Sequence, residues 1–215
     1  MIWRLFLSTL VIVIGLLSFT VYTLHSAQNA LTKVPSYFMF GPEDADLEVV
    51  GFLDYSCTHC REAWPAIMEA VKKDGKVRFA PLLIAPPGSD DAYAVRMTYA
   101  AALQNNYRDV FSELITNYRP VDEKELTDIA LKLNINEADL RVHMNEKDTT
   151  NLIAASEIVF KRLGGHYTPT FFIGPRIKYV PTTTPTADDF LKIFQEARIK
   201  AGKISKSPER QAEGP

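Results

Sequence analysis

The spacing of apolar residues changes repeatedly along this chain, and each change marks an element. From Leu5 to Leu24 the twenty residues LFLSTLVIVIGLLSFTVYTL carry no charge and are apolar on every side, the pattern of a helix without a polar face. Leu47–Leu53 (LEVVGFL) is short, apolar and β-branched, which reads as a buried strand. Cys57 to about Lys73 reads as a helix, with Trp64, Ile67, Met68 and Val71 at helical spacing and Pro65 expected to kink it. Val77–Ile84 is a second strand, weakened in its middle by Pro81.

Between Asp90 and Leu163 apolar residues recur at about i, i+3 and i+4. This predicts helices over 90–104, 108–117, 122–133, 136–145 and 149–163. Leu126, Ile129, Ala130 and Leu133 show the stripe. Asn136, with Asp139 after it, reads as a helix start, and Gly164-Gly165 ends the last helix. Thr170–Ile173 and Ile177–Val180 then read as short strands of a hairpin around Gly174-Pro175. A final helix over Ala187–Lys200 starts at Thr186, with Asp189 placed to complete a capping box. Strands that flank a helical block predict an α/β sheet carrying an insertion, not a doubly wound open sheet.

The apolar N-terminal segment sets the compartment. As a helix it is about 30 Å long, enough to cross a bilayer core. Arg4 precedes it and no Lys or Arg follows until Lys33, so the positive-inside rule sends the rest of the chain outward. Two readings stand: an uncleaved anchor through residues 5–24, or a signal peptide cleaved after Ala27 or Ala30. The length of the apolar run favours the anchor. So do His25 and Gln28, which put no small residue at the −3 position of either cut. Both readings place the rest of the chain outside the cytoplasm, where disulfides persist.

Composition narrows the classes further. In a chain of 215 residues with 47% hydrophobic and 23% charged residues, extended disorder and a multi-span membrane protein are excluded. The balance of 24 Lys+Arg against 26 Asp+Glu shows no basic excess, so nucleic acid is not expected as a partner.

The chain has 2 cysteines, both in one Cys-x-x-Cys, Cys57-Thr58-His59-Cys60, at a strand-to-helix junction. A sulfur at a helix N-terminus meets free N–H groups and the positive end of the dipole, so its thiolate is favoured. Cys60, about one turn in, is close enough to close a disulfide and less exposed. That asymmetry assigns attack to Cys57 and resolution to Cys60. His59, protonated or donating a hydrogen bond, would lower the Cys57 pKa further. A structural disulfide would close too small a loop to constrain much. Half a zinc site finds no second CxxC or HxxxH, and c-type haem attachment needs His at position 61, which is Arg.

CTHC after an apolar strand, Pro65 eight residues beyond Cys57, and Tyr167-Thr168-Pro169-Thr170-Phe171-Phe172 together resemble the thioredoxin superfamily over about residues 45–201. The helical block between the two halves makes the chain similar to the DsbA-like thiol:disulfide oxidoreductases. The resemblance implies a thioredoxin fold: a central mixed β-sheet flanked by helices, with an inserted helical domain and, here, an N-terminal transmembrane helix before it. Its parts are the anchor at 1–24, a tether at 25–46, the first half with CxxC at 47–87 and the insert at 88–165. The second half follows at 166–201, then a flexible tail at 202–215.

The resemblance further implies that Cys57 attacks and Cys60 resolves. Thr58 and His59 match the dipeptide that tunes potential, His being the more oxidising choice, and Pro169 matches a cis-proline facing the disulfide. Thr168 matches a residue that influences substrate release and is common in isomerase- and reductase-like members. No cofactor beyond the Cys57–Cys60 disulfide is implied. The implied partners are cysteine-containing exported proteins, a membrane redox partner and the lipid bilayer, in a bacterial inner membrane with the catalytic domain in the periplasm.

Two departures stand out. Relatives usually carry a buried acid six residues before the first cysteine, where this chain has Gly51; Glu48 or Asp54 are the candidates to replace it. Relatives often have Gly before the Thr-Pro pair, where this chain has Tyr167, a ring at the substrate rim. The competing readings are an isomerase or reductase of the same fold, a module that holds copper through Cys57, Cys60 and His59, and a glutathione-dependent enzyme.

Overall fold

The computed structural model describes residues 2–85, 89, 91–175 and 177–202. Helix α1 (Ile2–Leu31) leads into β1 (Leu47–Leu53), α2 (Thr58–Asp74) and β2 (Val77–Leu83). Five helices follow: α3 (Ala92–Ala101), α4 (Tyr107–Thr116), α5 (Glu123–Lys132), α6 (Glu137–Met144) and α7 (Lys147–Arg162). The chain returns through β3 (Thr170–Ile173) and β4 (Ile177–Tyr179) and ends in α8 (Ala187–Lys200). The sheet order is β2-β1-β3-β4, with β1 parallel to β2 and antiparallel to β3, and β3 antiparallel to β4. The sheet is therefore mixed, with all five middle helices inserted between β2 and β3.

Local sequence explains most of these elements. Central β1 is buried nearly throughout, which its unbroken apolar run required. Pro81 is tolerated because β2 is an outer strand of the sheet, where a missing N–H interrupts no second ladder. Asn136 and Thr186 cap α6 and α8 as their side chains predicted, and Thr186 with Asp189 completes the capping box. Helix α2 runs through Pro65 to Asp74.

Three buried tyrosines dock the insert on the thioredoxin half. Tyr99 (α3) donates to the Leu83 carbonyl, accepts from the Leu83 N–H at 3.0 Å, and lies 2.7 Å from Ser156 of α7. Tyr107 (α4) donates to the Pro81 carbonyl at 2.8 Å, and the Tyr55 hydroxyl meets Thr98 (α3) at 2.9 Å. Arg198 of α8 is held by Asp46 before β1 and by Asp74 at the end of α2.

The expected tether at 25–46 is corrected. Helix α1 continues to Leu31, and residues beyond it pack instead of hanging free. Phe38 and Met39 are buried, and the Phe38 ring meets Tyr107 edge-on at 4.3 Å. Phe40 exchanges both backbone hydrogen bonds with Phe79 and so covers the open edge of β2. An isolated bridge leaves no alternating pattern, so the sequence read as a linker. Within α1, Leu10–Leu31 is long and apolar enough to cross a membrane, and its side chains from Leu10 to Tyr22 are exposed. The expected boundary at 87–88 and the tail beyond Gly202 lie outside the described residues.

Candidate active site

The site forms where β1 ends and the chain turns into α2. Cys57 is the N-cap of α2, its carbonyl accepting from the Cys60 and Arg61 N–H groups at 3.0 and 3.2 Å. The sulfur therefore faces the unpaired N–H groups of the first turn, where an anion is favoured. Cys60 lies inside the turn with 0% exposure, its Sγ accepting from the Asp54 N–H at 3.4 Å. Both cysteines are free thiols, Cys57 partly exposed.

The environments push the two thiols apart. Cys57 is lowered to about 5, chiefly because the Cys60 thiol hydrogen-bonds to it; burial opposes this, and Thr168 and the Cys60 and His59 N–H groups reinforce it. Burial pushes the Cys60 thiol far up, and neighbouring Cys57 adds to it. The two sulfurs therefore differ in kind: Cys57 is partly exposed and favoured as a thiolate, while Cys60 is buried and held as a thiol.

Chain segments far apart in sequence complete the rim. The Thr168-Pro169 bond is cis, and Cys57 Sγ, as a thiol, donates to the Thr168 carbonyl at 3.3 Å. Tyr167 stands 75% exposed next to it, its carbonyl accepting from the Thr170 hydroxyl. Thr58 accepts from Arg61 at 3.1 Å, while a second Arg61 nitrogen reaches the Tyr55 carbonyl at 2.6 Å. His59 lowers the Cys57 pKa through a donated hydrogen bond of its backbone. Its ring, on a side chain 72% exposed, lies 3.4 Å from Glu62. Glu62 in turn accepts from Thr184 at 2.8 Å, linking α2 to the loop before α8.

The vacant acid position also has a physical explanation. A Cβ on Gly51 would lie 2.8 Å from the Phe79 ring and 3.0 Å from Phe171, both fully buried, so no acid fits there. Glu48 is not at the site, being paired with Arg78 at 2.6 Å. Asp54 is: the residue is 7% exposed, and its carboxyl is raised, mainly by burial.

Sequence reasoning missed the residues around it. Asp91, at the start of α3, accepts from the Ser56 N–H at 2.9 Å and from Tyr118 at 2.8 Å, and Arg61 lies over the Tyr118 ring. Nothing local signals these contacts, because they join the cysteine loop to the insert, or parts of the insert 27 positions apart, through side chains. Among the described residues no group of three or more His, Cys, Asp or Glu is arranged to hold a metal ion.

A mixed four-stranded sheet with a dithiol at the start of a helix and a cis-proline across from it defines a thioredoxin-fold dithiol protein. The model of the family described as Thioredoxin matches residues 33–196, and the chain belongs to that family. Solved structures share the fold. A thioredoxin-like oxidoreductase from Silicibacter pomeroyi is 24% identical with TM-score 0.69, covering 82% of this chain and 98% of that one. The thiol-disulfide exchange protein alpha-DsbA2 from Wolbachia pipientis is 22% identical with TM-score 0.70, covering 83% and 96%. The catalytic domain of Proteus mirabilis ScsC is 18% identical with TM-score 0.68, covering 82% and 97%. Among curated proteins, the Na(+)/H(+) antiporter NhaA 3 of Salinispora tropica is 24% identical over 165 residues, which is 74% of this chain. The chain spans about a quarter of that relative's length, 25%.

Proposed function

We propose that this protein is a thiol:disulfide oxidoreductase, held in the bacterial inner membrane by residues 5–24 with its thioredoxin body in the periplasm, acting on cysteines of exported proteins. The observation that carries the reading is the split between the two sulfurs: Cys57, partly exposed and held at about 5, sits in front of Thr168-Pro169 while Cys60 is buried behind it.

In the oxidising direction a client thiolate attacks Cys57 of the Cys57–Cys60 disulfide. Cys60 leaves and takes up a proton. A second client thiolate, its proton released to solvent, attacks the client sulfur of the mixed disulfide, and Cys57 leaves as a thiolate. Two electrons pass from client to protein, and a membrane redox partner removes them. No cofactor beyond the cysteine pair enters these steps. Each pKa unit of thiolate stabilisation is worth about 1.4 kcal/mol, or about 30 mV towards stronger oxidation where it acts on the reduced form alone. The low Cys57 value therefore supports oxidation. Tyr167 and Thr168 line the client's approach, and Thr58 and His59 set the potential through the first turn of α2.

Rearrangement of existing disulfides is the second reading, since the same thiolate, in the reduced protein, is ready to attack a client disulfide. A redox titration of the pair, with oxidation of a reduced client and repair of a scrambled one run in parallel, separates the two. A potential near that of thioredoxin would remove the oxidase reading. Client oxidation and repair both retained in Cys57→Ser would remove exchange altogether. Trapping with Cys60→Ala, which leaves the mixed disulfide unresolved, identifies the clients.

A further inference from the structure

Two carboxyl groups converge beside the cysteine loop without a cation between them. Asp54 Oδ1 and Asp91 Oδ2 each accept from the same N–H, that of Ser56, at 2.9 Å. The Ser56 hydroxyl also donates to Asp54 at 2.8 Å, and the Tyr118 hydroxyl donates to Asp91 at 2.8 Å. Asp54 and Asp91 are 7% and 1% exposed. Among the described residues neither forms an ion pair. The groups facing them are Tyr55 from the end of β1, Cys57, Cys60 and Arg61 from the cysteine loop and α2, and Tyr118 after α4. Arg61, the cation of this set, spends its hydrogen bonds on the Tyr55 carbonyl and Thr58 and lies over the Tyr118 ring at 4.7 Å. Two buried negative charges this close, with neutral donors only, strongly favour retention of one proton.

We propose that Asp54 keeps its proton beside Asp91 and that the two act as positioning residues, latching the Ser56–Cys57 turn of the thioredoxin half to the first helix of the insert. The assignment rests on the dithiol reading only in what the latch serves: Ser56 directly precedes Cys57, so fixing its N–H fixes the entry of the chain into α2. Loss of the proton leaves two carboxylates competing for one N–H, and their repulsion opens the latch. The active-site turn then becomes looser as pH rises, and the position of Cys57 responds to a titration that is not its own. Burial raises the Asp54 carboxyl from its ordinary value, in the direction the latch requires.

The experiment follows the proton and the latch in the full-length reduced protein. Infrared spectra of the wild type should show a buried carboxylic-acid band that persists above about pH 5, where ordinary carboxyls have ionised, and is lost in one step as pH rises further. Asp54→Asn and Asp91→Asn, which keep shape and exchange one acceptor oxygen for an amide donor, should each lose the band. Hydrogen exchange at the Ser56 amide, corrected for intrinsic base catalysis, should quicken about tenfold or more across that step in the wild type, the opening of a local structure. It should stay level in Asp91→Asn. Absence of the band in the wild type, its retention in both Asn variants, or a Ser56 profile in Asp91→Asn that follows the wild type would each overturn the proposal. The wild-type spectrum and exchange profile need no variant to fold. None of these readouts involves a client or redox turnover, so failure here and failure of the exchange activity are separate results.

Discussion

Cys57 Sγ lies 3.3 Å from the carbonyl oxygen of Thr168, across 111 positions of sequence. This contact places the start of α2 against the loop before β3, beside the exposed Tyr167 ring. The thiolate itself is made locally, by the Cys60 thiol and by the N–H groups of the first turn.

Replacing Cys60 should therefore weaken the Cys57 thiolate. Alkylation rate against pH should give about 5 for Cys57 in the reduced wild type. Cys60→Ala, which removes the largest contribution, should raise the value by about one unit or more, and Cys60→Ser, which keeps a donor, by less. Because the folded value lies below the ordinary 9.0, the associated stability is fully present above the unfolded thiol's value and is lost as pH falls through about 5. The reduced wild type should accordingly gain stability over Cys57→Ser as pH rises from 5 towards 9, read by urea denaturation under reducing conditions.

Restoring an acid at position 51 should harm the fold. The Phe79 and Phe171 rings stand 2.8 and 3.0 Å from where a Cβ would be, and neither has an open side to move to. Gly51→Ala should cost about 1–3 kcal/mol by overpacking, and Gly51→Asp more, since it adds a buried carboxyl. Equilibrium denaturation gives both values. Wild-type stability in Gly51→Asp would mean that the sheet has room these rings deny.

The tyrosine contacts should matter for docking of the insert. Tyr99→Phe leaves the Leu83 N–H and Ser156 without that buried partner. The expected loss is about 1–3 kcal/mol, the cost of an unsatisfied buried donor. Limited proteolysis should show cuts in the insert appearing before cuts in the sheet.

The packed segment before β1 separates two truncations. A chain starting at Thr32 keeps the Phe38 contacts and the Phe40–Phe79 bridge and should fold without α1. A chain starting at Gly41 loses both. Phe38→Ala in the full-length protein should cost about 3–5 kcal/mol, the range for a large buried ring, read from the denaturation midpoint.

Most of the elements were legible in sequence because their causes are local. A strand buried on both faces is a short apolar run, as in β1, and a helix buried on one face is a stripe, as in α5. Caps at Asn136 and Thr186 were legible because a side chain and an N–H three residues away satisfy each other. Phe38 and Phe40 were read as linker because one bridge and two rings make no period. Which part of His59 would serve Cys57 was not legible, because spacing says nothing of where a side chain turns, and the ring turns to Glu62.

The order of strands and helices, the apolar leading helix and the placing of a cysteine pair at a helix start are determined by sequence alone, because period, capping and dipole act within a few residues. Tertiary structure decided the rest. It filled the space over Gly51 with aromatic rings, brought Thr168 to Cys57, and set Asp91 of the insert beside Asp54 on one shared N–H. Those relations join segments that no local interaction connects, so only the packing of the insert and the returning strands against β1 and α2 creates them.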